Sequence, residues 1–118
     1  MIRFRTLVLI AALAALALTA SSGAAVPRLV GTVGPGFTIT LKQAGKPVRT
    51  LKAGTYSITV SDKSNIHNFH LRGPGLNREI TAIGFQGAKT VLVKFVKGTY
   101  RFVCDPNFTV MKGSFTVT

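Results

Sequence analysis

Acidic residues are nearly missing from this 118-residue chain: three stand against 15 lysines and arginines, for a formal net charge of +12. The three are Asp62, Glu79 and Asp105, too few for paired-carboxylate hydrolysis, an EF-hand loop or a carboxylate-rich magnesium site. Cysteine is scarcer still. The single Cys104 excludes an intramolecular disulfide and any zinc site built on several thiolates. No apolar run reaches membrane-spanning length. Leu7 to Ala20 is 14 residues long with only Thr19 polar, short of the roughly 20 residues a bilayer requires. Length excludes a two-domain enzyme with separate cofactor and substrate domains.

What the amino terminus does contain is an ordered series. Arg3 and Arg5 come first without an acid, the apolar run follows, and Ser21 to Ala25 is small-residue sequence. This order predicts a removable secretory signal over residues 1–25 and places the protein in the periplasm or cell envelope. A membrane anchor is disfavoured by the length of the run, and no cysteine stands near the cleavage point to carry a lipid. Residues 26–118 then form one domain, with 13 basic residues against the same three acids, a net charge of +10.

After residue 26 no stretch has apolar residues at helical spacing; alternation dominates. Phe37, Ile39 and Leu41 are predicted to share one face, with Thr38 and Thr40 on the other. Tyr56, Ile58 and Val60 alternate with Ser57 and Thr59, and Val91, Val93 and Phe95 form a further set blurred by Leu92. Tyr100, Phe102 and Cys104 share a face, and Phe115 and Val117 close the chain. Turn signals separate these runs: Gly34-Pro35-Gly36, Gly45-Lys46-Pro47, Ala53-Gly54, Gly73-Pro74-Gly75, Lys97-Gly98 and Asp105-Pro106. The pattern predicts an all-β fold, an antiparallel Greek-key β-sandwich or small barrel. Pro27 to Pro35 reads as a lead-in or a first edge strand. Lys52-Ala53-Gly54-Thr55-Tyr56 and Lys97-Gly98-Thr99-Tyr100 are similar phrases, read as two strand starts and not as a duplicated repeat.

Metal-ligating side chains of soft or borderline type are few and clustered. His67 and His70 lie in Ser64-Asn65-Ile66-His67-Asn68-Phe69-His70, Cys104 ends an apolar run, and Met111 follows seven residues later. A thiolate, imidazole and a long thioether contact are the ligand types of a blue-copper centre. Each residue also has a plainer reading. Cys104 suits a small buried hydrophobe or an intermolecular disulfide. His67 suits an ordinary loop or core histidine, and Met111 suits core filler. His70, three residues from His67 and of the wrong parity on a strand, reads as a surface or hydrogen-bonded histidine. Asp62 and Asp105 suit turn chemistry.

His67-Asn68 and Tyr100-x-Phe-x-Cys104-Asp105-Pro106-x-x-x-x-Met111-x-Gly113 resemble the two ligand loops of the cupredoxins, the plastocyanin, pseudoazurin and amicyanin superfamily. The resemblance spans about residues 37–118. It implies one type 1-like copper ion bound by His67, Cys104 and Met111, with Asn68 tying the loops together. One position departs: the third residue after the cysteine, where the family carries its second histidine ligand, is Asn107. An amide oxygen is a harder and weaker donor for copper than imidazole.

The function implied is an exported, monomeric copper protein that shuttles single electrons and is not an enzyme. Its cationic surface suits an acidic redox partner or an anionic envelope surface. Nucleic acid is not an expected partner, since no recognition module is present. The alternative is a cupredoxin-fold module with a degenerate site, acting as a Cu(I) holder or as a metal-free cationic binding protein.

Overall fold

The computed structural model describes residues 25–118; the export signal expected over residues 1–25 lies outside them apart from Ala25. Ten strands form two five-stranded sheets packed face to face. The first contains β1 (Arg28–Val33), β2 (Ile39–Gln43), β3 (Lys46–Pro47), β5 (Gly54–Asp62) and β8 (Gly87–Phe95), in the order β3-β2-β1-β5-β8. The second contains β4 (Thr50–Leu51), β6 (Phe69–Gly73), β7 (Leu76–Thr81), β9 (Gly98–Val103) and β10 (Lys112–Val117), in the order β4-β10-β9-β6-β7. The sandwich is as expected. Two of its pairings, β1 with β5 and β4 with β10, are parallel, and the others are antiparallel.

Alternation sets the inward faces. Tyr56, Ile58 and Val60 of β5 are buried, and so are Val93 and Phe95 of β8, while Leu92 is 62 % exposed on the outer face. The leading segment is neither a lead-in nor an edge. β1 runs through the first sheet between β2 and β5, with Leu29 and Val33 fully buried. Its parallel partner is remote in sequence, so no local signal marks it as central. Phe37 also departs from expectation. Pairing of β1 with β2 begins at Val33 opposite Ile39, and the bend closed by Gly34 N–H donating to the Thr38 carbonyl (2.9 Å) lies before it. Phe37 therefore escapes the strand alternation and is exposed.

Aromatic rings fill the core where β5 and β9 begin. Phe95 lies at the centre of an aromatic set, with ring centroids 4.8 Å from Tyr100, 5.4 Å from Phe115 and 5.6 Å from Tyr56. The paired sequence phrases have a common cause here. Tyr56 Oη donates to the Lys52 carbonyl (2.7 Å) and Tyr100 Oη to the Val96 carbonyl (2.8 Å), each four residues back. Between them sit Gly54 (φ 147°) and Gly98 (φ 149°), a conformation other residues rarely adopt. Each phrase lets a core ring satisfy its hydroxyl at the sheet border. At the other end Gly113 lies against Phe102, whose ring occupies the space a Cβ would take.

Candidate metal centre

At the end where β5 and β9 finish, two loops meet. The first, residues 63–68, leaves β5 through a turn in which Asp62 Oδ1 accepts from Ser64 N–H (3.1 Å). Gly84 N–H then donates to the Asn65 carbonyl (2.8 Å), fixing the loop to the β7–β8 connection. This brings His67 and Asn68 inside, both essentially without solvent exposure. The second loop leaves β9 at Val103. Cys104, extended at φ −97° and ψ 114°, leads into a 3-10 turn over Asp105–Asn107. Cys104 N–H donates to the Met111 carbonyl (3.0 Å), and Met111 N–H donates to the Asn107 carbonyl (2.8 Å). The loop is thereby closed on itself, and Cys104 and Met111 are both fully buried.

Three side-chain atoms from the two loops form a near-equilateral triangle. Cys104 Sγ is 3.5 Å from His67 Nδ1, the Asn107 amide nitrogen is 3.3 Å from His67 Nδ1, and it is 3.7 Å from Cys104 Sγ. The centre of such a triangle is about 2.0 Å from each corner, close to the roughly 2.0–2.3 Å bonds that nitrogen and sulfur make to a first-row metal. The donor set therefore fits a metal ion at two corners as it stands. A half-turn of the Asn107 amide exchanges its nitrogen for its oxygen at the third, since the two are nearly isosteric and only the oxygen has lone pairs to offer. Phe37 shields the imidazole edge-on, its ring centroid 5.5 Å from that of His67.

Asn68 joins the loops. Its Nδ2 donates to Asp105 Oδ2 and to Glu79 Oε2, both at 2.8 Å, and its Oδ1 accepts Asp105 N–H at 2.7 Å. Asp105 is the second hub. Its carboxylate also accepts from His70 Nδ1 (2.7 Å) and Arg72 Nη2 (3.2 Å). Burial pushes the Asp105 carboxyl up, but the hydrogen bonds from His70 and Asn68 and the charges of His70 and Arg72 outweigh it, holding it below the ordinary aspartate value. His70, Glu79 and Asp105 offer ligand atoms within 4.8 Å of one another. Asn68 and His70 already supply protons to both carboxylates, so this cluster is a hydrogen-bonded tie. His70 is excluded from the triangle and has its own partners, Asp105 and Asn77.

Sequence reasoning brought His67, Asn68, Cys104, Asn107 and Met111 to one end of the sandwich, and the structure places them there. It missed what Asp105 and Glu79 do. Asp62 does serve a turn, as expected, whereas Asp105 connects two loops. The available signal was scarcity, since a chain with three acids that places two of them around one asparagine is not merely decorating turns.

No protein-family profile and no curated protein matches the chain. Among solved structures, it is similar to the copper protein rusticyanin, with a TM-score of 0.57 and 21 % identity over 77 % of this chain and 76 % of that one. Rusticyanin from Thiobacillus ferrooxidans in a second structure gives a TM-score of 0.53 at 23 % identity, over the same shares of the two chains. An oxidised amicyanin variant gives 0.50 at 17 % identity, over 75 % of this chain and 80 % of that one. The chain has the cupredoxin fold. His67, Cys104, Asn107 and Met111 follow one another in that order along the two loops that meet at one end of this fold. No helix among the described residues is long and apolar enough to cross a membrane.

Proposed function

We propose that the protein is an exported single-electron carrier that holds one copper ion between His67, Cys104 and Met111, with the Asn107 amide oxygen at the remaining position of the trigonal set. The observation that carries this reading is the triangle formed by His67 Nδ1, Cys104 Sγ and the Asn107 amide, with edges of 3.3, 3.5 and 3.7 Å. Copper supplies the one-electron couple. The chain supplies buried His67, Cys104 and Met111 with a half-buried Asn107, and a doubly anchored Asn68 that keeps both loops in place as charge changes. A carrier needs neither a substrate pocket nor an acid–base pair, and the reading assigns the protein no enzymatic role. An extracytoplasmic location agrees with the signal-like amino terminus, and an acidic partner agrees with the net charge.

The test is a Cu(II) titration of the purified protein followed by visible absorption. An intense thiolate-to-copper band is expected, absent in Cys104→Ser together with any copper-dependent rise in Tm. Asn107→His should strengthen copper binding and intensify the band, because imidazole is the better donor. A second reading is favoured by the amide nitrogen that faces both Sγ and Nδ1 as the structure stands: two strong donors alone suit Cu(I), which accepts low coordination. Tight Cu(I) binding with a colourless Cu(II) titration would replace the carrier by a Cu(I) holder. Binding of neither ion by the folded, reduced protein would leave a metal-free cationic module.

A further inference from the structure

The outer face of the second sheet carries an arrangement that stability does not account for. Arg72 of β6 is directly opposite Arg101 of β9 in the antiparallel register, and like charges so placed repel. Lys112 of β10 lies one row further along, opposite Val103. The chain has no acid with which to relieve Arg101. Asp62 is buried in its turn, Glu79 accepts from Asn68, and Asp105 is shared among Asn68, His70 and Arg72. Among the described residues Arg101 has no carboxylate within ion-pair distance, and residues 1–24 contain no acid.

Hollows lie on both sides of this unpaired guanidinium. One, of about 310 Å³, is lined by Arg72, Arg101, Val103, Asp105 and Phe108. The other, of about 430 Å³, is lined by Thr99, Arg101, Lys112, Gly113 and Ser114. The first pairs two guanidinium forks, which match a carboxylate bidentately, with an exposed aromatic ring; arginine and aromatic residues are the types enriched where proteins dock. Three of its lining residues lie near Cys104 in sequence: Val103 and Asp105 adjoin it, and Phe108 belongs to the same loop.

We infer that this face is the docking site for an acidic partner protein, with Arg101 and Arg72 receiving its carboxylates beside the Cys104 loop. The inference rests on the electron-carrier reading for its purpose, since it makes this the side on which electrons enter or leave, but the binding itself does not depend on copper. Charge complementarity selects the occupant. A partner of this kind replaces the repulsion between the two arginines with charge-assisted hydrogen bonds.

The experiment is an amide and arginine side-chain NMR titration of the metal-free protein with a hexaglutamate peptide at low salt. Saturable shifts are expected at Arg72, Arg101, Val103 and Phe108, with Thr59 and Thr90 on the opposite outer face unmoved. Arg101→Gln should weaken binding about three- to fivefold, as loss of one exposed charged contact does, and Lys94→Gln, on the outer face of the first sheet, should not. Equal weakening by both variants, or no saturable binding, would overturn the site in favour of diffuse cationic attraction. Binding to phosphatidylglycerol vesicles that Arg101→Gln abolishes, without peptide binding, would overturn the protein partner in favour of a lipid surface. A failed copper titration would leave the peptide result standing and remove its role in electron transfer; a failed peptide titration would leave the copper reading untouched.

Discussion

At the end of the sandwich where β5 and β9 begin, Phe95, Tyr100, Phe115 and Tyr56 fill the interior, and both tyrosine hydroxyls are bonded at the border. At the end where those strands finish, Asp62, His67, Asn68 and Thr81 are buried, while Phe37, Ile66, Ile83, Phe108 and Val110 face solvent. Val96 is exposed at the first end as well, but the second end combines buried polar side chains with the larger group of exposed apolar ones. Burying polar groups costs free energy unless each is hydrogen-bonded. Turning large apolar groups to solvent forgoes burial worth about 1.5–3 kcal/mol each. The end that holds the candidate metal centre bears more of both costs than the far end, where β5 and β9 begin.

The largest effect expected from this division is at the far end. Phe95→Ala removes the ring that three other aromatic rings touch, and should cost about 3–5 kcal/mol, lowering Tm by roughly 4–8 °C for each of those kcal/mol. Chemical denaturation checks the cost. The copper band, recorded well below the lowered Tm, should be unchanged. A variant that folds but loses the band would show that the two ends are mechanically coupled and would break the division.

Asn68→Ala addresses the opposite end and should show the reverse balance. Three hydrogen bonds are lost, the Asp105 N–H is left without its acceptor, and the expected cost is about 1–3 kcal/mol. Because these bonds hold the two ligand loops, copper should bind roughly 10–100-fold more weakly, as is usual when a residue supporting the ligands is removed. Competition with a chelator measures the affinity. If stability falls as far as in Phe95→Ala while copper affinity stays the same, the buried polar set is structural only.

The far end was largely legible in the sequence, because its information is local. Alternation marked Tyr56, Ile58 and Val60 as inward, and the glycine–threonine–tyrosine phrases marked both strand starts. The candidate ligands were legible by residue type and loop context. What escaped depended on distant pairings. The central place of β1 follows from a parallel register, Leu29 opposite Ile58, which no neighbouring residue encodes. Asp105 meets Asn68 and His70 across separations of 37 and 35 residues, and a turn propensity could explain the same aspartate without them. Phe37 failed for a local reason: the bend before β2 ends the alternation that assigned it inward.

The smallest effect sharpens the comparison through charge. Asp105 is held below the ordinary aspartate value of 3.8 chiefly by its bonds to His70 and Asn68 and by the nearby charges of His70 and Arg72, against the opposing effect of burial. A carboxyl whose pKa is lower when folded contributes stability above its unfolded value and loses it as pH falls through the folded value. In the metal-free protein, wild type should therefore exceed Asp105→Asn in stability at pH about 6, and the gap should close on approach to pH about 2. Urea denaturation of the pair across this range checks it. A gap that is the same at both extremes would mean that Asp105 holds the loops by shape and hydrogen-bond geometry, with its charge contributing nothing.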